Sequence, residues 1–314
     1  MKAEQQVIVE MAIDWLQSGY PVWWISLIKV SGSAPREVGV FIAIRADGEV
    51  CGSISGGCLE EFLVERIQLN EFPVISVQTL SAWDHDNLAL MLPCGGSLDL
   101  LIEKLTSEES ISSILSASEN QKRIIRSVCL HTGEVEFLDH KECNSLTVFR
   151  ENGKVFQIFD RPPILLLIGA TQVAKYLAPM AQSLNYQVVV CDPRELYQAS
   201  WSLAEIPVSQ SMPDDLIKQI IIDDRCAIIT LAHDPKLDDM ALMEALRSPA
   251  FYVAAMGSRK THQKRRERLR QLDLSEEQIA RLHGPAGIDI RSKRPAEIAI
   301  SIMAEVIAKK NNVE

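Results

Sequence analysis

The sequence predicts an α/β protein in which a mixed α+β domain is followed by a Rossmann-like, doubly wound parallel sheet. In the second half, the apolar runs ILLLIGA, CAIITLAH and AFYVAAMG alternate with helical segments. Strands that are buried on both faces and separated by helices are typical of a parallel sheet covered on both sides. In the first half, β-rich runs are joined by short turns and interrupted by two amphipathic helices, which indicates a mixed architecture.

The first domain is predicted over residues 1–157. An amphipathic helix at 4–18 precedes a buried strand, and a hairpin then turns at Asp47-Gly48, a pair suited to positive φ. A second amphipathic helix follows a Gly-Gly-Cys sequence, with Leu59 and Leu63 on its apolar face. Further predicted strands, in chain order, are FPVISVQTL, SLDLLIEKL and a hairpin over 121–138.

The second domain is predicted over residues 158–314. Residues 139–163 are polar and weakly patterned and end in Pro162-Pro163, which disfavours continuous helix and predicts a linker. The regular strand and helix alternation begins directly after these prolines.

Composition excludes several classes of function. The formal charge of −10 arises in the first half, where residues 1–157 carry 22 Asp and Glu against 12 Lys and Arg, while 158–314 carry 20 of each. An acidic surface disfavours nucleic-acid binding, because that binding depends on neutralising phosphates. No apolar run is long enough to cross a membrane, and the N-terminal segment lacks a signal-peptide layout, so we expect a cytoplasmic protein. Seven scattered cysteines without a Cys-x-x-Cys pair predict neither a disulfide framework nor a structural zinc site.

A nucleotide-binding turn is recognisable but altered. Gly169-Ala170-Thr171-Gln172 follows the first strand of the second domain, and Asp192 ends the next strand, where an acidic residue binds a ribose hydroxyl in dinucleotide folds. Thr171 occupies the position of the glycine that lets the backbone approach a pyrophosphate. The turn is therefore open to two interpretations: a site for a nucleotide or a smaller phosphate, or a scaffold without a ligand.

Two further segments lie where ligands bind in open α/β sheets. Gly257-Ser258-Arg259 leads from a strand into a helix, whose free N–H groups and added cation favour an anion. The basic run after it, KTHQKRRERLR, is interpreted as a solvated helix face in preference to a binding patch. His233 follows a core strand and is a candidate ligand contact or acid–base group, with a structural role as the alternative.

Three small-residue loops of the first domain share an unusual chemistry. Ser53-Ile54-Ser55-Gly56-Gly57-Cys58 joins a strand to a helix and places Cys58 in the first helical turn, where the helix dipole favours a thiolate. Cys94-Gly95-Gly96 precedes a strand, and the loop 31–36 ends in a cation, Arg36. If these loops converge, they form a pocket of backbone N–H groups, two thiols and one Arg, suited to an anionic ligand with soft-metal chemistry. The alternative is three tight turns with two buried cysteines.

These motifs resemble those of the XdhC/CoxI family of accessory proteins for molybdenum hydroxylases. The resemblance starts in GSAPREVGVFIAIRADGEVCGSISGGCLEE, continues through Cys94-Gly95-Gly96, and includes LIGATQVA, LAHDPKLDD, MGSRK and HGPAGIDIRSKRPAEIAISIMAEVIA. It implies a chaperone that binds the molybdenum cofactor, as molybdopterin or its cytosine dinucleotide, protects it during sulfuration and delivers it to an apo xanthine-dehydrogenase-type enzyme. A cysteine desulfurase, cofactor-biosynthesis proteins and a second copy of the chain are the implied further partners.

The resemblance also implies the residues that handle the cofactor. Cys58 and Cys94 are the candidates for contact with molybdenum. The full set carried over is Gly32, Arg36, Ser55, Gly56, Gly57, Cys58, Cys94, Gly95 and Gly96. The nucleotide or phosphate candidates of the second domain are Gly169, Thr171, Asp192, His233, Gly257, Ser258 and Arg259.

Two other functions stay open at this point. An NAD(P)-dependent oxidoreductase would use the second domain for its cofactor, with His233 or a cysteine in catalysis. A structural adaptor would bind no small molecule. Xanthine dehydrogenase activity itself is disfavoured, because seven scattered cysteines do not supply the ligands of two iron–sulfur clusters.

Overall fold

The computed structural model describes residues 3–32, 36–55, 57–81, 96–120, 122–139 and 147–313. The chain divides into two units, Met1–Arg161 and Pro162–Glu314. The predicted domain limit after residue 157 lies within a strand, Lys154–Phe159, which pairs along its length with Ile124–Cys129.

The first unit is a mixed α+β structure built on two antiparallel sheets. A five-stranded sheet has the order β3-β2-β1-β5-β4, and a four-stranded sheet has the order β7-β6-β9-β8. The elements in chain order are α1 (Ala3–Gln17), β1 (Val22–Ser31), β2 (Phe41–Arg45), β3 (Val50–Cys51), α2 (Cys58–Gln68), β4 (Ile75–Ser81), β5 (Ser97–Leu105), a 3₁₀ turn (Glu108–Ser110), α3 (Ser112–Glu119), β6 (Ile124–Cys129), β7 (Val135–Asp139), β8 (Val148–Glu151) and β9 (Lys154–Phe159).

The two faces of the five-stranded sheet are covered by different helices. Helix α1 packs with Trp24 and Phe41 in one apolar cluster, while α2 packs with Trp23, Ile25 and their neighbours in another. Alternate residues of a strand point to opposite faces, which explains why adjacent tryptophans belong to separate cores. The predicted apolar face of α2 is buried.

The prediction of a linker over 139–163 is wrong for the part that is described. Strands β8 and β9 occupy it and form a hairpin that turns at Asn152-Gly153, both with positive φ (49° and 73°). An Asn-Gly pair between β-rich runs is a strong hairpin signal, because both residues adopt positive φ readily. Polar residues on the exposed positions of β8 masked the alternation in the sequence.

A buried ion pair joins the two sheets of the first unit. The Arg126 guanidinium on β6 donates to both carboxylate oxygens of Glu103 on β5, at 2.9 and 2.8 Å, and to the Gln157 side chain at 2.8 Å. The Gln157 amide in turn donates to Ser26 Oγ on β1 at 2.7 Å. The Arg126 side chain is 0% exposed and that of Glu103 is 5% exposed, so each charge depends on the other for solvation.

The second unit has the Rossmann fold that the sequence predicts. Its six-stranded sheet has the order β12-β11-β10-β13-β14-β15, and every strand pair is parallel. Counted from β10, this is the order 3-2-1-4-5-6 of dinucleotide-binding folds. Its elements are β10 (Ile164–Ile168), α4 (Gln172–Ser183), β11 (Gln187–Cys191), α5 (Glu195–Ala199), β12 (Val208–Ser209), α6 (Pro213–Gln219), β13 (Ala227–Thr230), α7 (Pro235–Arg247), β14 (Tyr252–Ala255), α8 (Arg259–Arg270), α9 (Glu276–Ala280), β15 (Leu282–His283) and α10 (Pro295–Lys310).

Within the described part of the chain, no helix has both the length and the apolar character that a membrane span requires.

Replacing Arg126 by Met is expected to lower the free energy of unfolding by about 3 to 5 kcal/mol, because Glu103 would stay buried without its cation. Urea unfolding followed by tryptophan fluorescence measures this difference. Arg150→Gln, which removes an exposed cation from β8, is the control and is expected to change stability by less than about 0.5 kcal/mol. An Arg126→Met/Glu103→Leu double variant should recover most of the lost free energy of unfolding, because it leaves no buried charge without a partner. A single variant as stable as the control would contradict the role given to the pair.

Candidate functional site

The loops that carry the first-domain motifs are brought to one end of the five-stranded sheet. Strand β1 ends at Ser31, which pairs with Ser97 at the start of β5. Strand β3 runs antiparallel to β2 and therefore in the direction of β1, so the turn that leads from it into α2 lies at the same end. The topology thus places the loops that contain Gly32, Ser55 and Gly96 at the same end of the sheet.

Gly32 and Gly96 are close neighbours through their backbones. Gly32 has a φ of +85°, and a Cβ added to it would lie 3.2 Å from the Cα of Gly96. A side chain at position 32 would press on the backbone of the Gly96 loop, so the loop that begins at Ser31 depends on glycine for a physical reason.

Glu60 organises the turn before α2, and sequence reasoning missed it. Its carboxylate accepts hydrogen bonds from the backbone N–H groups of Ile54, Ser55 and Gly57, at 2.6, 2.8 and 2.8 Å. The hydroxyls of Ser53 and Ser55 donate to it at 2.9 and 2.6 Å. Burial of the carboxyl raises its pKa, but the bonds from Ser55 and the other amides outweigh it and lower the pKa of Glu60 to about 2.

The identity of Glu60 as a capping residue was available from the local sequence. Ser55 is followed five residues later by Glu60, and Gly57 by Glu60 at the third position, the spacing of a capping box. The amides that were assigned to an anionic ligand are therefore occupied by a carboxylate of the chain itself. Gly57 has a φ of +141°, and no described atom beyond its chain neighbours lies within 4 Å of a Cβ built on it.

The remaining first-domain candidates are only partly described. The Arg36 guanidinium lies 3.8 Å from the Glu4 carboxylate of α1, in an exposed ion pair. Cys58 is the first residue of α2, as expected from the sequence. Gly56, Cys94, Gly95 and the side chain of Cys58 lie outside the described residues, so their predicted contacts stay predictions.

In the second unit, the acidic residue of the nucleotide motif is already engaged. Arg194 donates to both carboxylate oxygens of Asp192 at 2.8 Å, and the backbone N–H of Ala170 donates to the same group at 2.9 Å. Asp192 is fully buried; burial raises its pKa, and the bonds from Arg194 and Ala170 more than offset this and lower it. Arg194 also donates to the Ala232 carbonyl at 3.2 Å, across the point where the strand order reverses. A ribose hydroxyl would have to compete with this guanidinium.

Gly169 is required by the protein itself. Its φ is +113°, and a Cβ at this position would lie 2.6 Å from the backbone nitrogen of Ala232. The loops that follow β10 and β13 are therefore in close contact. Thr171 is the N-cap residue of α4, but its hydroxyl makes no cap hydrogen bond and has no partner among the described residues.

His233 and the Gly257 turn lie at the carboxyl edge of the sheet, as predicted. His233 has a φ of +55° and is exposed at the surface. The protein atoms around its ring still remove part of its hydration, and this desolvation, together with the charges of Arg265 and Arg194, lowers the pKa of His233. Ser258 is the N-cap of α8, with its hydroxyl accepting from the backbone N–H of Thr261. Arg259 points to solvent, its side chain 87% exposed, and pairs with Asp289.

Helix α8 carries more than a solvated basic face. Leu269 is fully buried and Arg265 is 2% exposed, which anchors the helix to the sheet. Three other cations, Lys260, Lys264 and Arg268, line a cavity of about 290 Å³. The predicted solvated face is present, because Lys260 and Lys264 are exposed, and the same face borders the cavity.

Metal ligands are not clustered in the described part of the chain, where no group of three or more His, Cys, Asp or Glu side chains is positioned to hold an ion. The described cysteines are free thiols; Cys191 and Cys226 are buried, and Cys51 and Cys129 are half-buried.

Glu60→Gln is expected to lower the free energy of unfolding by about 2 to 3 kcal/mol at neutral pH, because an amide cannot accept all the hydrogen bonds that the carboxylate accepts. The folded-state pKa of about 2 lies below the usual 4.5. The stabilisation by the ionised carboxylate is therefore complete above pH ~4.5 and is lost as the pH falls toward 2. The difference in the free energy of unfolding between wild type and Glu60→Gln should narrow over that range.

Urea unfolding at pH 7, 4 and 3 measures this gap. Glu61→Gln, next to it on the exposed side of α2, is the matched control and should show neither effect. A constant gap between wild type and Glu60→Gln across these pH values would contradict the assignment.

Comparison with known proteins agrees with this architecture. The model of the XdhC Rossmann domain matches residues 165–306, and the model of the XdhC and CoxI family matches residues 15–69. The molybdenum cofactor insertion chaperone PaoD of Escherichia coli is 27% identical over 99% of this chain and 90% of its own length. A Bacillus subtilis protein described as a probable xanthine dehydrogenase subunit is 23% identical over 92% of this chain and 93% of its own.

A solved structure shares the fold over nearly the whole chain. It is a Bacillus halodurans protein described as a xanthine dehydrogenase, with a TM-score of 0.72 and 21% identity over 98% of this chain and 96% of its own. The two family models match both units in the expected order and together cover well over half of the sequence. The chain belongs to the XdhC and CoxI family.

Proposed function

We propose that this protein is a chaperone that holds the molybdenum cofactor as cargo and delivers it to a xanthine-dehydrogenase-type molybdenum hydroxylase. The observation that carries the proposal is the similarity to the insertion chaperone PaoD along 99% of this chain. Similarity of this extent includes both units, so it concerns the whole protein and not a shared Rossmann domain alone.

The cargo is a pterin dithiolene with a phosphate and an oxidisable metal centre. A carrier for it needs ordered polar groups, soft donors near the metal, and reversible binding. The end of the first-unit sheet offers candidates for this role: the Gly32 and Gly96 loops, whose backbones approach closely, the space beside Gly57 that no described residue fills, and Cys58 at the start of α2. We propose that Cys58 and Cys94 contact molybdenum or shield its terminal sulfur.

The hydrogen bonds of Glu60 limit which cargo groups the turn can hold. A cofactor phosphate bound by the amides of Ile54, Ser55 and Gly57 would require Glu60 to leave, and a carboxylate with five hydrogen bonds leaves at a large free-energy cost. We therefore propose that this turn is a rigid support that positions Cys58, and that the phosphate is held elsewhere.

The finer parts of the role follow from the same proposal. The chaperone would protect the cofactor, as molybdopterin or its cytosine dinucleotide, while a cysteine desulfurase exchanges its terminal ligand for sulfur. It would then dock on the apo enzyme and transfer the cargo. A homodimer is proposed as the working form.

The test is anaerobic purification from a host that makes the cofactor, followed by metal analysis and fluorescence of the oxidised pterin. Wild type is expected to carry near-stoichiometric molybdenum and pterin, and a Cys58→Ala/Cys94→Ala variant is expected to lose both. Cys129→Ala, on the β6–β7 hairpin, removes a thiol elsewhere and should retain the cargo. If the double variant carried as much molybdenum and pterin as wild type, the cysteine site would be disproved. If wild type carried neither and the co-expressed client enzyme had low activity, the proposed carrier function would be disproved.

An NAD(P)-dependent oxidoreductase is the second candidate, because the strand order of the second unit is that of dinucleotide-binding folds. The Arg194–Asp192 pair and Thr171 oppose dinucleotide binding in the usual pose. We expect titration with NADH and NADPH, followed by their fluorescence, to show no saturable binding at micromolar concentrations. Tight binding of NADH or NADPH by wild type that is weakened in Asp192→Asn would instead support the oxidoreductase function.

A further inference from the structure

The cavity of the second unit lies at the carboxyl edge of its parallel sheet. It is bordered by the residues that follow β13 and β14, represented by His233 and Met256, and by the first turns of α7 and the length of α8. Its lining does not include the Gly169 turn or Asp192. It is thus separate from the nucleotide motif that the sequence singles out, although both lie on the edge where open α/β sheets bind ligands.

The cations of α8 face this cavity in a regular row. Lys260, Lys264 and Arg268 are spaced four residues apart, which puts them one above the other on one side of a helix. Like charges at this spacing on a helix repel one another. An anion bound between Lys260 and Lys264 would relieve their repulsion, so the arrangement favours an anionic ligand.

Acidic residues neutralise only part of this charge. Arg265 pairs with Asp238 at 2.9 Å, and Arg268 pairs with Asp239 at 2.5 and 3.0 Å. Lys260 and Lys264 form no ion pair with any described residue. The cavity wall carries two uncompensated positive charges, and the exposed His233 at its rim adds a further hydrogen-bonding group.

Two buried side chains of the lining have polar atoms without a partner among the described residues. The Arg265 side chain is 3% exposed and its Nε makes no hydrogen bond there, lying 3.9 Å from the nearest Asp239 oxygen. The Asp238 side chain is 1% exposed, and its Oδ1 makes no hydrogen bond either. Buried polar atoms of this kind are rare in proteins. The Arg265 Nε–H is a donor that an anion or a water can complete, whereas Asp238 Oδ1 is an acceptor that requires a donor such as water. Burial, only partly offset by Arg265, raises the pKa of Asp238 to about 6.

The start of α8 adds to the preference for negative charge. Gly257 has a φ of +148° and allows the sharp entry into the helix, and Ser258 caps it. The free amides of the first turn and the helix dipole favour an anion at this position.

We propose that this cavity binds the phosphate or diphosphate group of a small molecule, with Lys260 and Lys264 as its contacts. A volume of about 290 Å³ is just below the usual range of ligand sites, roughly 300–1,000 Å³, and suits a small anion or the phosphate end of a larger molecule. The proposal rests on this cavity alone and does not require the cargo to be a molybdenum cofactor.

The test is calorimetric titration of the full chain with inorganic pyrophosphate, inorganic phosphate and cytidine monophosphate at constant ionic strength. We expect saturable binding with one site per chain for pyrophosphate, weakened about tenfold or more in Lys260→Gln/Lys264→Gln. Both lysines are exposed on α8, so the variant should fold, which thermal unfolding verifies. Lys309→Gln removes an exposed cation from α10 and should bind as wild type does.

The three probes identify the source of the phosphate. Tighter binding of cytidine monophosphate than of pyrophosphate supports a nucleotide ligand, and the reverse order supports a diphosphate whose remaining part lies in solvent. Absence of saturable binding of all three probes, or equal binding by wild type and the double lysine variant, would overturn the proposal.

Discussion

A carboxylate that is removed from water must find its partners inside the protein, and this constraint governs both units. Glu103 is buried between two sheets and is paired by Arg126, which holds β5 against β6. Glu60 accepts hydrogen bonds from the backbone N–H groups of its own turn. In the second unit, Asp192 is buried against Arg194. Each pairing fixes a loop or a sheet contact, because breaking it would leave a charge in a medium of low dielectric constant.

The same constraint changes the meaning of the functional motifs. Backbone amides near glycines are general anion sites, and an external ligand and an internal carboxylate compete for them on equal chemical terms. In this protein the internal group occupies the amides before α2, and an internal cation occupies the acidic residue of the nucleotide turn. This occupation agrees with the proposal that the two motifs act as rigid supports and that neighbouring residues contact the ligand.

The charges of the two units serve different purposes. The first half of the chain carries the acidic excess and the cysteine–glycine loops proposed for the cargo. The second half is balanced overall, yet helix α8 concentrates its cations on one cavity wall, where Lys260 and Lys264 lack acidic partners among the described residues. Local placement, and not net charge, decides where an anion binds, because interactions between exposed charges are screened within about 10 Å at ordinary ionic strength.

The class of fold, the strongly periodic elements and the family could all be predicted from the order of the amino acids. Apolar runs predicted the parallel strands, and the Asp47-Gly48 pair predicted its hairpin, because turns and periodicity are local properties. The Asn152-Gly153 pair carries the same local signal for the hairpin of β8 and β9, although the polar residues of β8 hide its alternation.

Other features are visible only in the folded chain. The backbones of Gly32 and Gly96 approach closely, Arg194 forms an ion pair with Asp192, and Lys260 and Lys264 border a cavity. The first is a contact between segments distant in the sequence, and the second is a choice among competing partners for a buried charge. The third depends on how α8 packs against the sheet. No local pattern encodes these outcomes, because each depends on which groups the completed fold brings within reach of one another.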